Sequence, residues 1–309
     1  MNMRIGAALA LGLLLSGCGG GDGGDAKIGP ALVALTQANY DGITQEVTAS
    51  VASSDALFSA LDVASPASAD TASVVLLASG QPDALARFAL AEVNRSFTGR
   101  VKAAAVETGT ELCDVGGSIS ATVNDVDNSG SATVGDRIAI TATNCVFDSG
   151  EPALNGALSI RILSVAELDG YGDLVSGSLA LSFTDFSSGD VGLNGSAVLT
   201  ISPSALTLDF NGLVARYDGQ TRVYDFAVTA DVVDSTVSVV GPITVNGSTY
   251  VLATPTLLQL GTGHPVAGTL RVTDGHGSRV DVVMGSTSYT ASLYLAGDDL
   301  LDDSATHSW

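Results

Sequence analysis

From Ser118 to the C-terminus, apolar residues recur at every second position, and this period leaves few folds open to the chain. Successive side chains of a β-strand point to opposite faces, so a period of two buries one face and leaves the other to water. Between Gly177 and Phe186, Leu179, Leu181 and Phe183 alternate with Ser178, Ser182 and Thr184. Leu206, Leu208 and Phe210 share one face of the next run. Arg222, Tyr224, Phe226 and Val228 then share a face opposite Thr221, Val223 and Asp225. Turn signals punctuate the runs at Asp218-Gly219, Asn246-Gly247 and Gly275-His276-Gly277. Short connections imply antiparallel order, because parallel pairs need long crossovers. The pattern predicts eleven to thirteen strands. The expected fold class is mainly β (α+β): a large antiparallel β-meander over 111–309, arranged as a sandwich or half-barrel.

Ahead of it, 30–110 reads as a helical segment packed on the sheet. Tyr40, Ile43, Val47 and Val51 recur at spacings of three and four, and Leu57 and Leu61 extend a second such stretch. Ser65 to Ala69 breaks the pattern. Pro82 and Asp83 suit a first helical turn, with Leu85, Phe88, Ala89, Val93 and Phe97 as the stripe behind them. These Ala/Ser/Thr-rich helices are marginal alone and need a surface to lie on.

The first residues read as an address rather than as fold. Met1 to Arg4 is a short basic start, and Ile5 to Leu15 is an apolar run of eleven residues. A membrane-spanning helix needs about 20 residues, whereas a signal peptide needs an apolar region of about 7–15. Leu15-Ser16-Gly17-Cys18 then resembles the bacterial lipobox. The resemblance implies cleavage of a lipoprotein signal peptide, 1–17, and acylation of Cys18, whose several chains give a stable anchor where one would be marginal. Gly19, in place of an Asp, implies the outer membrane, with the domain in the periplasm or at the cell surface. The Gly-rich run within 18–29 cannot fold and reads as a tether.

Three cysteines are an odd count for an exported chain. With Cys18 acylated, Cys113 and Cys145 remain. Folded as a hairpin about Ser129, which is 16 residues from each, the two cysteines fall opposite one another, close enough for a disulfide.

Charge narrows the partners. Acidic residues number 33 against 12 basic, a net charge of −21, which repels phosphate backbones and excludes nucleic acid as a natural partner. Divalent cations suit it better. The twelve residues Asp125 to Asp136 place oxygen side chains at Asp125, Asp127, Ser129, Thr133 and Asp136, positions 1, 3, 5, 9 and 12, with Gly130 at 6 and Ser131 at 7. This spacing resembles EF-hand and dockerin calcium loops, in which one short segment wraps hard oxygen ligands around Ca²⁺. A neutral Ser at position 5 and strand-like flanks depart from that family and imply weak binding, with Kd of about 10⁻⁴–10⁻³ M. The Asp298, Asp299, Asp302, Asp303 tail lacks the glycine and the spacing and reads as a solvated turn.

Signals for catalysis are poor. His264, His276 and His307 are the only histidines and none has metal-ligand spacing. No G-x-S-x-G elbow, P-loop or dinucleotide fingerprint is present. Leu154-Asn155-Gly156-Ala157 and Leu193-Asn194-Gly195-Ser196 echo each other 39 residues apart, with Val245-Asn246-Gly247-Ser248 as a third, and hairpin chemistry accounts for the Asn-Gly pairs without common ancestry.

The lipobox, a Cys-x-x-Gly-Gly start at Cys113 leading through a DxDxSG loop to a second Cys, and the long β-meander together resemble a group of Gram-negative β-rich envelope lipoproteins. The resemblance implies no activity. It leaves two expectations: a non-catalytic structural or interaction role for a protein held to the membrane by its N-terminal lipid, or carriage of hydrophobic ligands in a curved sheet backed by helices, as in periplasmic lipoprotein carriers. The partner, whether a protein or a hydrophobic ligand, is not written in the chain.

Overall fold

The computed structural model describes residues 33–52, Val93, Ser96 and, apart from scattered loop positions, 106–309. Among them, helix α1 (Tyr40–Ala52) precedes fifteen strands: β1 (Val106–Leu112), β2 (Gly116–Asn124), β3 (Arg137–Val146), β4 (Leu154–Leu168), β5 (Leu174–Ser188), β6 (Val191–Ile201), β7 (Ala205–Tyr217), β8 (Gln220–Tyr224), β9 (Ala227–Asp231), β10 (Thr236–Val245), β11 (Ser248–Leu260), β12 (Pro265–Thr273), β13 (Arg279–Met284), β14 (Ser288–Tyr294) and β15 (Asp303–Ser308). All fifteen belong to one sheet whose order follows the sequence, the antiparallel meander that short connections require. β8 and β9 are two halves of one strand kinked at Asp225 and Phe226, and both pair with β7 and with β10.

Alternation sorts the side chains. On β5, Leu179, Leu181 and Phe183 are at most 2 % exposed, while Ser182 and Thr184 face solvent. The same face carries Leu208 and Phe210 of β7, Tyr224 of β8, Phe226 and Val228, and the three rings of Phe210, Tyr224 and Phe226 meet with centroids 5.2–5.5 Å apart. One hydrophobic core runs from Leu35 to Leu293.

The strands are longer than a flat sheet would favour, and a row of corners bends them. At Gly117, Gly156, Gly195, Gly241 and Gly268 the backbone has positive φ, and a β-carbon there would collide with the backbone of the neighbouring strand. At Gly195 that carbon would lie 2.6 Å from the Gly212 carbonyl oxygen, and at Gly241 2.7 Å from Cα of Phe226. Register shifts accompany these sites, so they are β-bulges, which increase twist and bend the strand. Side chains brace them. Asn155 accepts a hydrogen bond from the Asn144 N–H at 2.8 Å, and Asp225 accepts one from the Gly212 N–H at 2.6 Å.

This corrects the hairpin reading of two Asn-Gly pairs. Asn155-Gly156 and Asn194-Gly195 sit inside β4 and β6 as corners, and of the three only Asn246-Gly247 turns a hairpin, with φ of 50° and 78°. Strand number also exceeds the expected eleven to thirteen, because β1 and β15 are polar edge strands with no fully buried apolar residue to betray them. β1 begins at Val106, so the boundary of the helical segment at 110 falls inside a strand.

The expected helical stripe is present in α1. Tyr40 and Val47 are buried, Ile43 partly so, against β10, β13 and β14. Polar contacts fix its position. Glu46 pairs with the buried Arg222 of β8, His307 Nε2 lies 2.6 Å from Asp41 Oδ1, and the Leu35 N–H donates to Asp274 Oδ2 at 2.9 Å. Val93 and Ser96 are helical and buried. The signal peptide and tether of 1–29 and the other helical positions expected between 53 and 97 lie outside the described residues. Among the described residues no helix is long and apolar enough to cross a membrane.

Candidate functional site

The loop from Asp125 to Asp136 is the connection between β2 and β3. β2 ends at Asn124 opposite Arg137, where β3 begins, so the twelve residues hang from a closed strand pair rather than from helices. Asn128, Gly130 and Gly135 have φ of 58°, 72° and 102° and fold the chain back over its own carboxylates. On the outer side, Gly135 N–H donates to the Ile162 carbonyl and Ile162 N–H to the Asp136 carbonyl, both at 2.9 Å, which pins the loop to β4.

Backbone N–H groups converge on the first and last residues. Asp125 accepts from Ser129 N–H at 3.2 Å and from Gly130 N–H at 2.7 Å. Asp136 accepts from Val126 N–H at 2.9 Å and from Thr133 through its N–H at 2.7 Å and its hydroxyl at 3.0 Å. Both residues are fully buried. Asp127 is exposed and accepts from Ser129 N–H at 3.0 Å. The Ser129 hydroxyl holds the Asp127 carboxyl below the usual carboxylate range, with the Ser129 N–H adding to the effect.

The structure brings three of the six sequence-predicted ligands together. Carboxylate oxygens of Asp125, Asp127 and Asp136 all lie within 4.8 Å of one another. The Ser129 hydroxyl donates to the Ser131 carbonyl, and Ser131 N–H donates back to it, so these two residues face each other. The Thr133 hydroxyl is spent on Asp136. Among the described residues no Lys, Arg or His pairs with any of the three carboxylates. Burying carboxylates without a counter-charge is costly, and coordination of a cation relieves that cost. A carboxylate has about four lone-pair sites, so one accepting two N–H groups can still ligate. Hard oxygen donors clustered in this way fit Ca²⁺.

Cys113 and Cys145 form a disulfide, with Cα atoms 5.5 Å apart and a sequence separation of 32. The bond ties the β1–β2 connection to β3, at the far end of the pair that carries the acidic loop.

The other sequence candidates lie elsewhere. Asp299 pairs with Arg279 at 2.6 Å, Asp302 accepts from Leu295 N–H, and Asp299, Asp302 and Asp303 are exposed, while Asp298 lies outside the described residues. His276 is exposed, whereas His264 is half-buried and stacks on Trp309 with ring centroids 4.7 Å apart. Two buried carboxylates have no counterpart in the sequence reading. Asp274 organises the β12–β13 turn, accepting from His276 and Ser278 N–H groups as well as from Leu35. Asp173, beside Asp169 in the β4–β5 turn, has a buried Oδ1 with no hydrogen-bond partner. An Asp next to Gly-x-Gly, as at Asp274, was the available signal for the first; nothing local marks the second. A surface depression of about 350 Å³ beneath α1 is lined in part by Val33, Ile43, Val245 and Tyr250.

No family model, curated protein or solved structure matches the chain.

Proposed function

We propose that this chain is a lipid-anchored envelope lipoprotein of Gram-negative type, with a non-catalytic structural or interaction role, held by acylated Cys18 to the outer membrane. The observation that carries the reading is the Cys113–Cys145 disulfide. Disulfides persist in oxidising compartments, and this one uses both cysteines that the lipobox leaves over, so every thiol of an odd set has an assigned fate. The meander gives the anchored domain a broad polar outer face, studded with serine and threonine, that is open to a partner. In this reading the Asp125–Asp136 loop is a weak Ca²⁺ site that stiffens the β2–β3 end of the sheet.

The carrier reading has less behind it. Buried apolar positions from Leu179 to Leu293 are at most 7 % exposed, and the depression under α1 is at the small end of the 300–1,000 Å³ range typical of ligand pockets.

The test is fractionation of the parent and Cys18→Ala proteins, with metabolic labelling by a fatty acid. The parent is expected in the membrane fraction and labelled, the variant unlabelled and released from it or retained with its signal peptide. Equal labelling of the two would refute the proposal.

A further inference from the structure

Basic side chains are scarce in this chain, and three of the six described arginines are paired with carboxylates. Arg222 pairs with Glu46, and Arg271 and Arg279 pair with Asp281, Arg279 also with Asp299. Of the other three, Arg216 stands opposite Gly192 and Thr221, whereas Arg137 and Arg161 stand opposite each other. They are direct cross-strand partners in the β3–β4 ladder, both exposed, and among the described residues neither has an ion pair or side-chain hydrogen bond. The nearest acidic residue in sequence, Asp136, is buried and occupied by Val126 and Thr133.

Directly opposed residues have Cβ atoms about 4.5–5.5 Å apart, and like charges in that position destabilise a sheet. A chain with 33 acidic residues had many ways to avoid such a pair or to neutralise it. Two guanidinium forks side by side are matched to one tetrahedral oxyanion, which each can grip through two parallel N–H bonds. The surroundings suit an ester of that anion. Asn124 flanks Arg137 in the same row, and two residues further along the strands, hence on the same face, lie Thr122, Ser159 and Ser182. The overall charge of −21 weighs little against binding here, because ions in solution screen charges more than about 8 Å from the site at physiological salt.

We infer that Arg137 and Arg161 form a binding site for a phosphate group on the outer face of the β3–β4 pair. The inference stands apart from the anchoring and calcium proposals. The group reaches the site either as free phosphate or a phosphate monoester, or as the phosphodiester of a lipid headgroup.

The experiment titrates the mature full-length protein, in calcium-free buffer, with inorganic phosphate and separately with glycerophosphoglycerol, a soluble headgroup fragment. Heat of binding and melting temperature are both followed. Saturable binding of either probe is expected, weakened at least tenfold by Arg137→Gln and by Arg161→Gln. Binding of the diester assigns the lipid headgroup, and binding of inorganic phosphate alone assigns the free or monoester form. A second signature separates a ligand site from a structural pair. Without phosphate both variants should melt at or above the parent temperature, since each removes a repulsion, and phosphate should then no longer raise the melting point. Absence of saturable binding to both probes would overturn the inference, as would equal phosphate effects on parent and variants.

Discussion

Asp125 and Asp136 open and close the β2–β3 connection, are both fully buried, and bring their carboxylates, with that of Asp127, within 4.8 Å of one another. A cation that binds the folded loop and not the unfolded chain stabilises by RT ln(1 + [L]/Kd), about 1.4 kcal/mol at ten times Kd. For weak loops with Kd of about 10⁻⁴–10⁻³ M, several millimolar Ca²⁺ reaches that regime. Melting temperature is therefore expected to rise by about 2–4 °C between EGTA and millimolar Ca²⁺. Asp136→Asn keeps the shape and removes a ligand charge, and its melting curves with and without Ca²⁺ should superimpose. Superimposable curves for the parent protein would dispose of the site.

The disulfide acts on a different scale. Closing a loop of 32 residues removes denatured-chain entropy equivalent to about 3–4 kcal/mol. Cys113→Ala with Cys145→Ala should lower stability by about that amount in urea denaturation, and reductant should have the same effect on the parent and none on the variant. Because Gly117, whose absent β-carbon lets β2 approach Asn144, lies four residues from Cys113, the loss should concentrate at this end of the sheet. Hydrogen exchange of the β2 and β3 amides is the readout.

The corner glycines make a sharper structural prediction. Gly241 has φ of 130°, and a β-carbon there would meet Cα of Phe226 at 2.7 Å. Gly241→Ala must bear both backbone strain, about 1–3 kcal/mol, and a displacement of the kinked β8–β9 strand. A loss of about 3 kcal/mol or more is expected by denaturant titration. Gly109→Ala on edge strand β1, where nothing lies within 4 Å, serves as the control and should change stability by less than about 1 kcal/mol. Equal effects would mean that the corners do not shape the sheet.

These sites differ in how visible they were beforehand. The inner face was legible wherever two or three large apolar residues alternate, as at Leu179, Leu181 and Phe183, because burial acts residue by residue along the strand. The disulfide was legible from the odd cysteine count, but the hairpin about Ser129 was not its geometry: β2 and β3 pair about a centre between Gly130 and Ser131, and Cys113 reaches Cys145 from the β1–β2 connection rather than from an opposed strand position. β1 (VETGTEL) and β15 (DSATHS) were not legible, because β1 is exposed at its described positions and β15 half-buries only Ala305 and His307, too few apolar positions to show a period. Asn155-Gly156 misled because positive φ at glycine serves a bulge as well as a turn, and only the partner strand distinguishes them. The juxtaposition of Arg137 and Arg161 depends on the register of β3 with β4, which includes a shift between Ala142 and Cys145 that no local spacing encodes.

Asp173 carries the clearest pH dependence. Burial pushes its carboxyl above the usual range, and the neighbouring Asp169 pushes in the same direction. Its Oδ1 is buried without a hydrogen-bond partner, so that oxygen of the charged form is left unsatisfied in the β4–β5 turn. A raised folded-state pKa means that the native protein binds the proton more tightly than the unfolded chain does. The stabilising contribution is thus complete below the ordinary carboxyl value of about 3.9 and is lost as pH rises through the elevated folded value. Asn has the shape of protonated Asp and never ionises, so Asp173→Asn should be more stable than the parent at pH 7. The difference should shrink as pH falls and vanish near pH 3.5, where both side chains are neutral. Urea midpoints of parent and variant between pH 3.5 and 7 measure it, and a constant gap across that range would show that Asp173 does not titrate between the folded and unfolded states.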